Sequence, residues 1–482
     1  MNALTKAIKA ETNYTLTENG ALTLKSTLSS LADFFGLGAA LRSRSESEII
    51  NLFEKAFAED KELAVRCLFY IRDCRGGQGE RRVFRTILNW LGKHYPLIVY
   101  YNLNSIIEMG RWDDLFCLEN TNAWGDALTF IYAEMLSASS KNKTSLLFKW
   151  LPSINTSSKE TRRLARVLCK RFGMSEREYR LALSRGRANL ALVESQMCAN
   201  EWDRIVYEHV PSKAALNYRK AFSRHDAYRY NSYLQSVMSG TKKINATTLY
   251  PYEVVEKYLT QREQDNATLE ALWKSLPDYL NGAKENALVV ADVSGSMSGR
   301  PMAVSISLAM YIAERNKGAF HNQFLTFSSS PELQSIVGAT LSDRIRNLSR
   351  ANWDMNTDLQ KTFDLILNSA IKHKVPASDM PRALYIISDM EFDQACGYGN
   401  ATNFEAIKEK YARSGYELPQ LIFWNVNARN NQSPVRFDEK GTCLVSGCSP
   451  SILKATLART TMTSLDVMLD VLNGARYQKI KV

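Results

Sequence analysis

The sequence of 482 residues contains no C-x-x-C pair, no long apolar run, no P-loop and only five histidines. Each absence removes a class of function. The eight cysteines (Cys67, Cys74, Cys117, Cys169, Cys198, Cys396, Cys443 and Cys448) are scattered, which predicts free thiols in a reducing cytoplasm. A disulfide frame or a cysteine zinc site would need a different spacing, although Cys443 and Cys448 are near enough in sequence to approach one another. Without an apolar stretch of about 18 residues, no membrane-spanning helix is expected. The opening MNALTKAIKAETNYTLTENG is too polar for a secretory signal. Nucleotide chemistry through a G-x-x-x-x-G-K-[ST] loop has no candidate. A serine-hydrolase elbow would need G-x-S-x-G, and GSMSG at 295–299 places Met297 where the nucleophile should stand. Beyond residue 285 the histidines are His321 and His373, and neither sits in a triad context. The expectation is a cytoplasmic binding protein without catalysis.

What is present is uneven charge. The net formal charge is +11, and residues 151–250 alone carry 18 Lys/Arg against 8 Asp/Glu. Positive charge concentrated in one stretch suits a polyanion such as RNA, or else a solvated surface. Within it, KETRRLARVLCKRFGMSEREYRLALSRGRANL (159–190) sets Arg163, Arg166 and Lys170 on one helix face. Arg177, Arg180, Arg185 and Arg187 continue the charge, with Tyr179 as a stacking candidate. Such a face would grip phosphates. In NYRKAFSRHDAYRYNSYL, Arg219, Lys220, Arg224 and Arg229 alternate with Tyr218, Tyr228, Tyr230 and Tyr233. That mixture suits single-stranded RNA or inter-helix packing equally. The stretch YIRDCRGGQGERRVFR (70–85) reads as a glycine turn between two helices whose arginines pair with Asp73 and Glu80, or as a phosphate cradle.

Hydrophobic period divides the chain near residue 286. Before it, apolar residues recur at three- and four-residue steps, as in Ile49, Phe53, Ala56 and Phe57, with Ser45 or Ser47 as helix cap. Helices are expected over 122–138, 159–173, 175–198, 212–238, 251–262 and 266–281. Many medium helices with short loops predict an all-α, HEAT-like array over 1–285. After 286, apolar strand-like runs alternate with helical ones, which predicts a mostly parallel, doubly wound α/β domain over 286–482. Ligands of such sheets bind at the carboxyl ends of the strands.

LVVADVSGSMSG (288–299) ends its apolar run in Asp292, followed by Ser294 and Ser296. Taken alone, it offers a nucleophile, a phosphate cradle, a metal site or a polar turn. YIISDMEFD sets Asp389 after a second apolar run, and NWDMNTDL sets Thr357 and Asp358 before a helix. These are all oxygen donors, the ligand type preferred by Mg²⁺ and similar hard cations. An aspartyl nucleophile would usually be followed two residues on by a second acid, where Ser294 stands.

The D-x-S-x-S run, the later Thr and the later Asp resemble the metal-ion-dependent adhesion site of von Willebrand factor A domains. The resemblance covers 286–482 and implies that Asp292, Ser294, Ser296, Thr357 and Asp389 hold Mg²⁺ or another divalent cation. It also implies that the open coordination position takes an acidic group from a protein partner, without chemistry. Alternatively, the hydroxyls only cap the next helix. Along most of its length the chain also resembles a poorly characterised family with members among viruses and plants. The stretches that carry this include YIRDCRGGQGERR, GRWDDLF, VESQMCANEW and SDMEFDQA. A helical array joined to an A-type domain is similar in architecture to the Ro ribonucleoprotein (TROVE) proteins, which implies an RNA partner. The competing expectation is a metal-dependent protein-interaction scaffold, such as a viral particle component.

Overall fold

A computed structural model describes residues 3–140, 144–261, 266–280, 286–327, 330–348, 357–394, 401–456 and 462–482. Cys396, residues 352–356 of the NWDMNTDL stretch, and the end of the expected 266–281 helix lie outside them. A short N-terminal hairpin, β1 (Tyr14–Leu16) with β2 (Leu22–Leu24), precedes the main sheet. The five apolar runs after 286 all form strands. They are β3 (Ala287–Ala291), β4 (Gln323–Thr326), β6 (Ala383–Ser388), β7 (Gln420–Asn425) and β8 (Thr442–Ser446). A sixth strand, β5 (Leu333–Ser335), has no apolar run to announce it. The sheet runs β5-β4-β3-β6-β7-β8, parallel throughout except for β4 with β5.

Strands β3, β6, β7 and β8 are buried along their whole length, which explains their unbroken apolar composition. One face packs Leu288, Val290, Leu384, Ile386, Leu421 and Phe423 against Leu359, Phe363, Ile407 and Tyr411. Those last four come from the helices Leu359–His373 and Asn403–Ser414. The helix Arg300–Arg315, buried from Ala303 to Ala313, lies against β3, β4 and β6.

The strand pattern begins at 286 as expected, but compaction does not divide there. One compact unit joins Met1–Val83 to Ile244–Lys479, and the other is Phe84–Lys243 with Ile480–Val482. The reason lies at the β8 end of the sheet, which the domain's own helix Ser464–Leu472 covers only in part. The helix Ser30–Leu37 packs there, close enough that a Cβ on Gly36 would lie 3.1 Å from Leu444 Cβ. Ser446 Oγ accepts from Ala39 N–H at 3.2 Å, and Ala428 N–H donates to the Ala40 carbonyl at 3.1 Å. The glycine turn serves the same unit. Asp73 is fully buried and accepts from Arg476, from Tyr477 Oη at 2.9 Å and from Arg75 N–H at 3.0 Å. Burial opposes its ionisation, yet the Arg476 guanidinium and these donors hold its carboxyl below the usual range. Gly77 approaches so closely that a Cβ would stand 2.1 Å from the Tyr70 carbonyl oxygen.

The second unit is helical. Two expected helices are each broken once: 175–198 becomes Glu176–Ala188 and Val193–Cys198, and 212–238 divides at Asp226. The side-chain oxygen Asp226 Oδ2 accepts from Tyr207 Oη at 2.8 Å and from Arg229 at 3.0 Å. All described cysteines are free, Cys443 and Cys448 included.

Asp33, on the helix Ser30–Leu37, is buried and has one backbone donor, Thr27 N–H, at 2.7 Å. Burial pushes its carboxyl from 3.8 to about 7. The folded state therefore holds a proton that the unfolded chain loses earlier, so stability falls as pH rises from about 4 to 7. Asp33→Asn is expected to raise the urea midpoint at pH 8 and to change it little at pH 4. The ceiling is ~4 kcal/mol, at about 1.4 kcal/mol per tenfold change in proton affinity.

Candidate functional site

The site lies where β3 and β6 end side by side. Their parallel register pairs Ala291 with Ile387, so Asp292 and Ser388 emerge together. Asp292 is fully buried. Its Oδ1 accepts from Ser294 N–H at 2.9 Å and its Oδ2 from Ser388 Oγ at 2.6 Å. The Ser294 and Ser296 hydroxyls are 3.0 Å apart, Ser294 buried and Ser296 exposed. Asp389, one residue past β6, accepts the Glu391 N–H at 3.2 Å, and the Ser296 side chain is close enough to favour its charged form. Four of the five predicted ligands are thereby brought together.

Electrostatics distinguish the two carboxylates. Burial pushes Asp292 up to about 6, and the charge of Asp389 adds to that. Burial also raises Asp389, while Ser296, Glu391 N–H and the Arg429 guanidinium pull it back. Arg429 Nη2 lies 3.2 Å from Asp389 Oδ2. A buried acid whose ionisation is opposed by a second, buried acid beside it is the kind of place that favours positive charge.

Thr357 is buried nearby but is engaged elsewhere. Its N–H donates to Asp393 at 2.9 Å, and its hydroxyl lies 2.9 Å from the Glu391 carbonyl and 3.1 Å from Asp393 Oδ1. Asn19 Nδ2 donates to the same hydroxyl at 3.0 Å. Among the described residues no hydrogen bond joins Thr357 to the other four. No group of three or more His, Cys, Asp or Glu is clustered for a metal among them either. The donor set here is different: two carboxylates with hydroxyls, all oxygen, which fits a hard divalent cation.

Sequence reading missed the shell around this set. Glu391 is buried and accepts from Glu18 N–H at 2.8 Å, Gln432 at 2.7 Å and Asn430 at 2.9 Å. Arg429, Asn430 and Gln432 follow the apolar run of β7, so the strand-end rule that selected Asp389 would have found them too. Nothing local marks Glu18 and Asn19, which lie about 370 residues away in the chain.

The basic candidates separate into groups. Arg163 is claimed by Glu119 and Glu160, and Arg166 by Glu176 at 3.0 Å. Arg187 was expected to face RNA but is a structural crosslink. Its Nε and Nη2 donate at 2.9 Å to the Phe148 and Leu151 carbonyls, and its Nη1 to Ser153. Those carbonyls need donors, which a charge pattern does not reveal. Tyr179 is likewise unavailable for stacking, being buried with its hydroxyl donating to the Pro152 carbonyl. Lys170, Arg177, Arg180 and Arg185 are exposed, with no polar partner among the described residues. Lys159, Arg162, Arg163, Arg166, Val167 and Lys170 line one shallow groove on the helix Lys159–Phe172. Of the interleaved aromatics, Tyr230 and Tyr233 are core, whereas Tyr228 is 88% exposed. In the glycine turn, Arg72 is buried, Arg82 donates to the Arg42 and Arg44 carbonyls, and Arg85 pairs with Asp113 and Asp114. That assigns the turn to packing.

Comparison with known proteins follows the same boundary as the strand pattern. Residues 286–478 match a domain of unknown function (DUF7788). Residues 17–118 and 173–283 match a second domain of unknown function (DUF2828). The chain is 29% identical over 502 residues to an uncharacterized protein of Acanthamoeba polyphaga mimivirus, covering 95% of this chain and 87% of that protein. The expected kinship with viral proteins therefore extends over nearly the whole chain. Among solved structures, the Ro (RSR) protein of Deinococcus radiodurans aligns over 94% of this chain and 100% of its own, with a TM-score of 0.36 and 11% identity. A likeness of that degree carries no argument about function.

Asp292→Asn removes one of the two opposed charges while keeping an acceptor for Ser294 N–H. At pH 8 in the presence of a chelator, the variant is expected to melt at or above the temperature of the unaltered protein. A drop of several degrees would show that the Asp292 charge is stabilising without an ion.

Proposed function

We propose that the chain is a non-catalytic, cytoplasmic binding protein with two ligands. Its α/β half, of the von Willebrand factor A type, holds Mg²⁺ or another divalent cation through Asp292, Ser294, Ser296 and Asp389. Thr357 is the fifth candidate, once its hydroxyl is released from Asp393. The observation that carries this reading is the pair of buried carboxylates at adjacent strand ends, the charge of Asp389 opposing ionisation of Asp292, with the Ser294 and Ser296 hydroxyls beside them. When bound, the ion supplies positive charge and an open position for an acidic group. The chain's own part is to fix the donors: Ser388 and Ser294 N–H hold Asp292, and Glu391 N–H holds Asp389.

The second ligand is RNA, gripped by the helical region. Support comes from the groove on Lys159–Phe172, where five of six lining residues are cationic. The exposed Arg177, Arg180 and Arg185 on the next helix add to it. Phosphate contacts of this kind position a strand without reading its sequence.

Two measurements check these assignments. Calorimetric titration with Mn²⁺ is expected to show one site, abolished in Asp292→Ala; equal binding by that variant would end the metal reading. A mixed-sequence single-stranded RNA is expected to bind with a log affinity falling linearly in log salt. Replacing Lys170, Arg177, Arg180 and Arg185 together by Glu should weaken binding at least tenfold. It should also flatten the salt slope by about 0.7 for each phosphate that is no longer neutralised. Protein freed of nucleic acid that binds no RNA at low salt would leave the scaffold reading instead.

A further inference from the structure

The tip of the β1–β2 hairpin lies against the mouth of the proposed cation site, within the same compact unit. It is held there by specific bonds. Thr17 Oγ1 donates to the Phe392 carbonyl at 2.8 Å, and Asn19 Nδ2 to the Glu391 carbonyl at 2.7 Å. Glu18 N–H donates to the buried Glu391 carboxylate, and Gly20 forms a bridge with Asp393. The tight reversal needs Gly20, whose φ is +83°. These bonds fix the backbone of Glu18, whose carboxylate meets Arg429 and, at 3.3 Å, Asn430 Nδ2.

That side chain ends one guanidinium away from a proposed ligand of the ion. Arg429 Nη1 lies 2.7 Å from Glu18 Oε2, and its Nη2 lies 3.2 Å from Asp389 Oδ2. Arg429 Nε is buried and has no hydrogen-bond partner. The guanidinium is thus shared between two carboxylates without being fully satisfied, although Arg prefers to engage a carboxylate through paired N–H groups. A divalent cation beside Asp389 would compete with Arg429 for that carboxylate and repel it, freeing Glu18 from its partner. Glu18, anchored through its own N–H, would then keep only Asn430 Nδ2, 3.3 Å from its Oε1, and would be left without a cationic partner.

We infer that the acidic group that fills the cation's open position is supplied by this chain: Glu18, presented by the hairpin tip, is an intramolecular ligand. The inference rests on the cation reading above. It makes the hairpin a built-in competitor that a partner's acidic side chain must displace. Asn19, bonded to the Thr357 hydroxyl, belongs to the same docked tip.

The test is Mn²⁺ titration of the full-length chain, with variants checked for unchanged melting in chelator. Glu18→Gln keeps the shape and the backbone anchors and is expected to weaken Mn²⁺ about tenfold. Arg429→Gln removes the competing guanidinium and is expected to tighten it. The deciding comparison places Glu18→Gln in the Arg429→Gln background, because neighbouring residues are apportioned only by such a cycle. A weakening of about tenfold there assigns the carboxylate to the ion. No weakening there means that Glu18 acts only through Arg429, and the inference is overturned. If Asp292→Ala binds Mn²⁺ as well as the unaltered chain does, the cation reading itself has failed, independently of Glu18. Hydrogen exchange at residues 17–21 supplies a second readout: added Mn²⁺ should slow it in the unaltered chain and not in Glu18→Gln. Unchanged exchange in both would also overturn the inference.

Discussion

The register of β3 against β6 is the constraint on which the site depends. Parallel pairing from Ala287–Ala383 to Ala291–Ile387 delivers the ends of both strands to one point. Each strand carries an acid just past that point, so two carboxylates leave the sheet together in a buried place. Slipping either strand by one residue would exchange its two faces and set every side chain against the wrong packing neighbours. The buried lengths of β3 and β6, apolar on both faces, forbid that. The electrostatic tension at the site is therefore a consequence of the core, and relieving it by moving a strand would cost far more than the repulsion itself.

The same economy explains why residues 1–83 belong with the sheet. A parallel sheet must be covered on both faces, and β8 would otherwise leave apolar surface bare. The helix Ser30–Leu37 fills that place, and the buried Asp73–Arg476 pair joins the glycine turn to the C-terminal segment. Tyr70 stacks on Phe35 and meets Tyr477 edge-on, adding aromatic packing around the same pair. Truncating Arg476 would leave the fully buried Asp73 carboxylate without its counter-charge, which is costlier than never having built the pair. Boundaries drawn from strand pattern and boundaries drawn from packing answer different questions, and this chain separates them.

Much of the site was legible because strand ends are legible. An apolar run that stops in Asp, as at Asp292 and Asp389, announces both its strand and the side on which a ligand would lie. Thr357 stands just before the helix Leu359–His373, as its sequence position suggests, but its bonds to Asp393 could not be inferred from spacing. The helical half was read less well. Period gave the helices but not the break at Asp226, whose side chain collects Tyr207 and Arg229 across the turn. Charge counting could not separate Lys170, Arg177, Arg180 and Arg185 from Arg163 and Arg187, because neutralisation depends on acids and carbonyls brought in by the fold. Tyr179 was misread although a signal existed: with Leu183 and Gly186 it follows the buried period of its helix.

The carboxylates gathered around the site differ in how they are satisfied. Glu391 receives three N–H donors and needs no counter-charge. Asp393 is satisfied by the N–H and hydroxyl of Thr357. Glu18 is partly exposed and pairs with Arg429. Asp292 and Asp389 remain, the first with neutral donors only and the second with half of a shared guanidinium. Asp292 has two neutral donors where Glu391 has three, and the charge of Asp389 beside it further opposes its ionisation. The surplus is local and negative and is surrounded by oxygen donors. Arg429 reaches only its edge, on Asp389, and no charged partner touches Asp292 among the described residues. On the cation reading proposed above, a small divalent ion would meet both carboxylates, whereas Arg429 meets only Asp389 of the two.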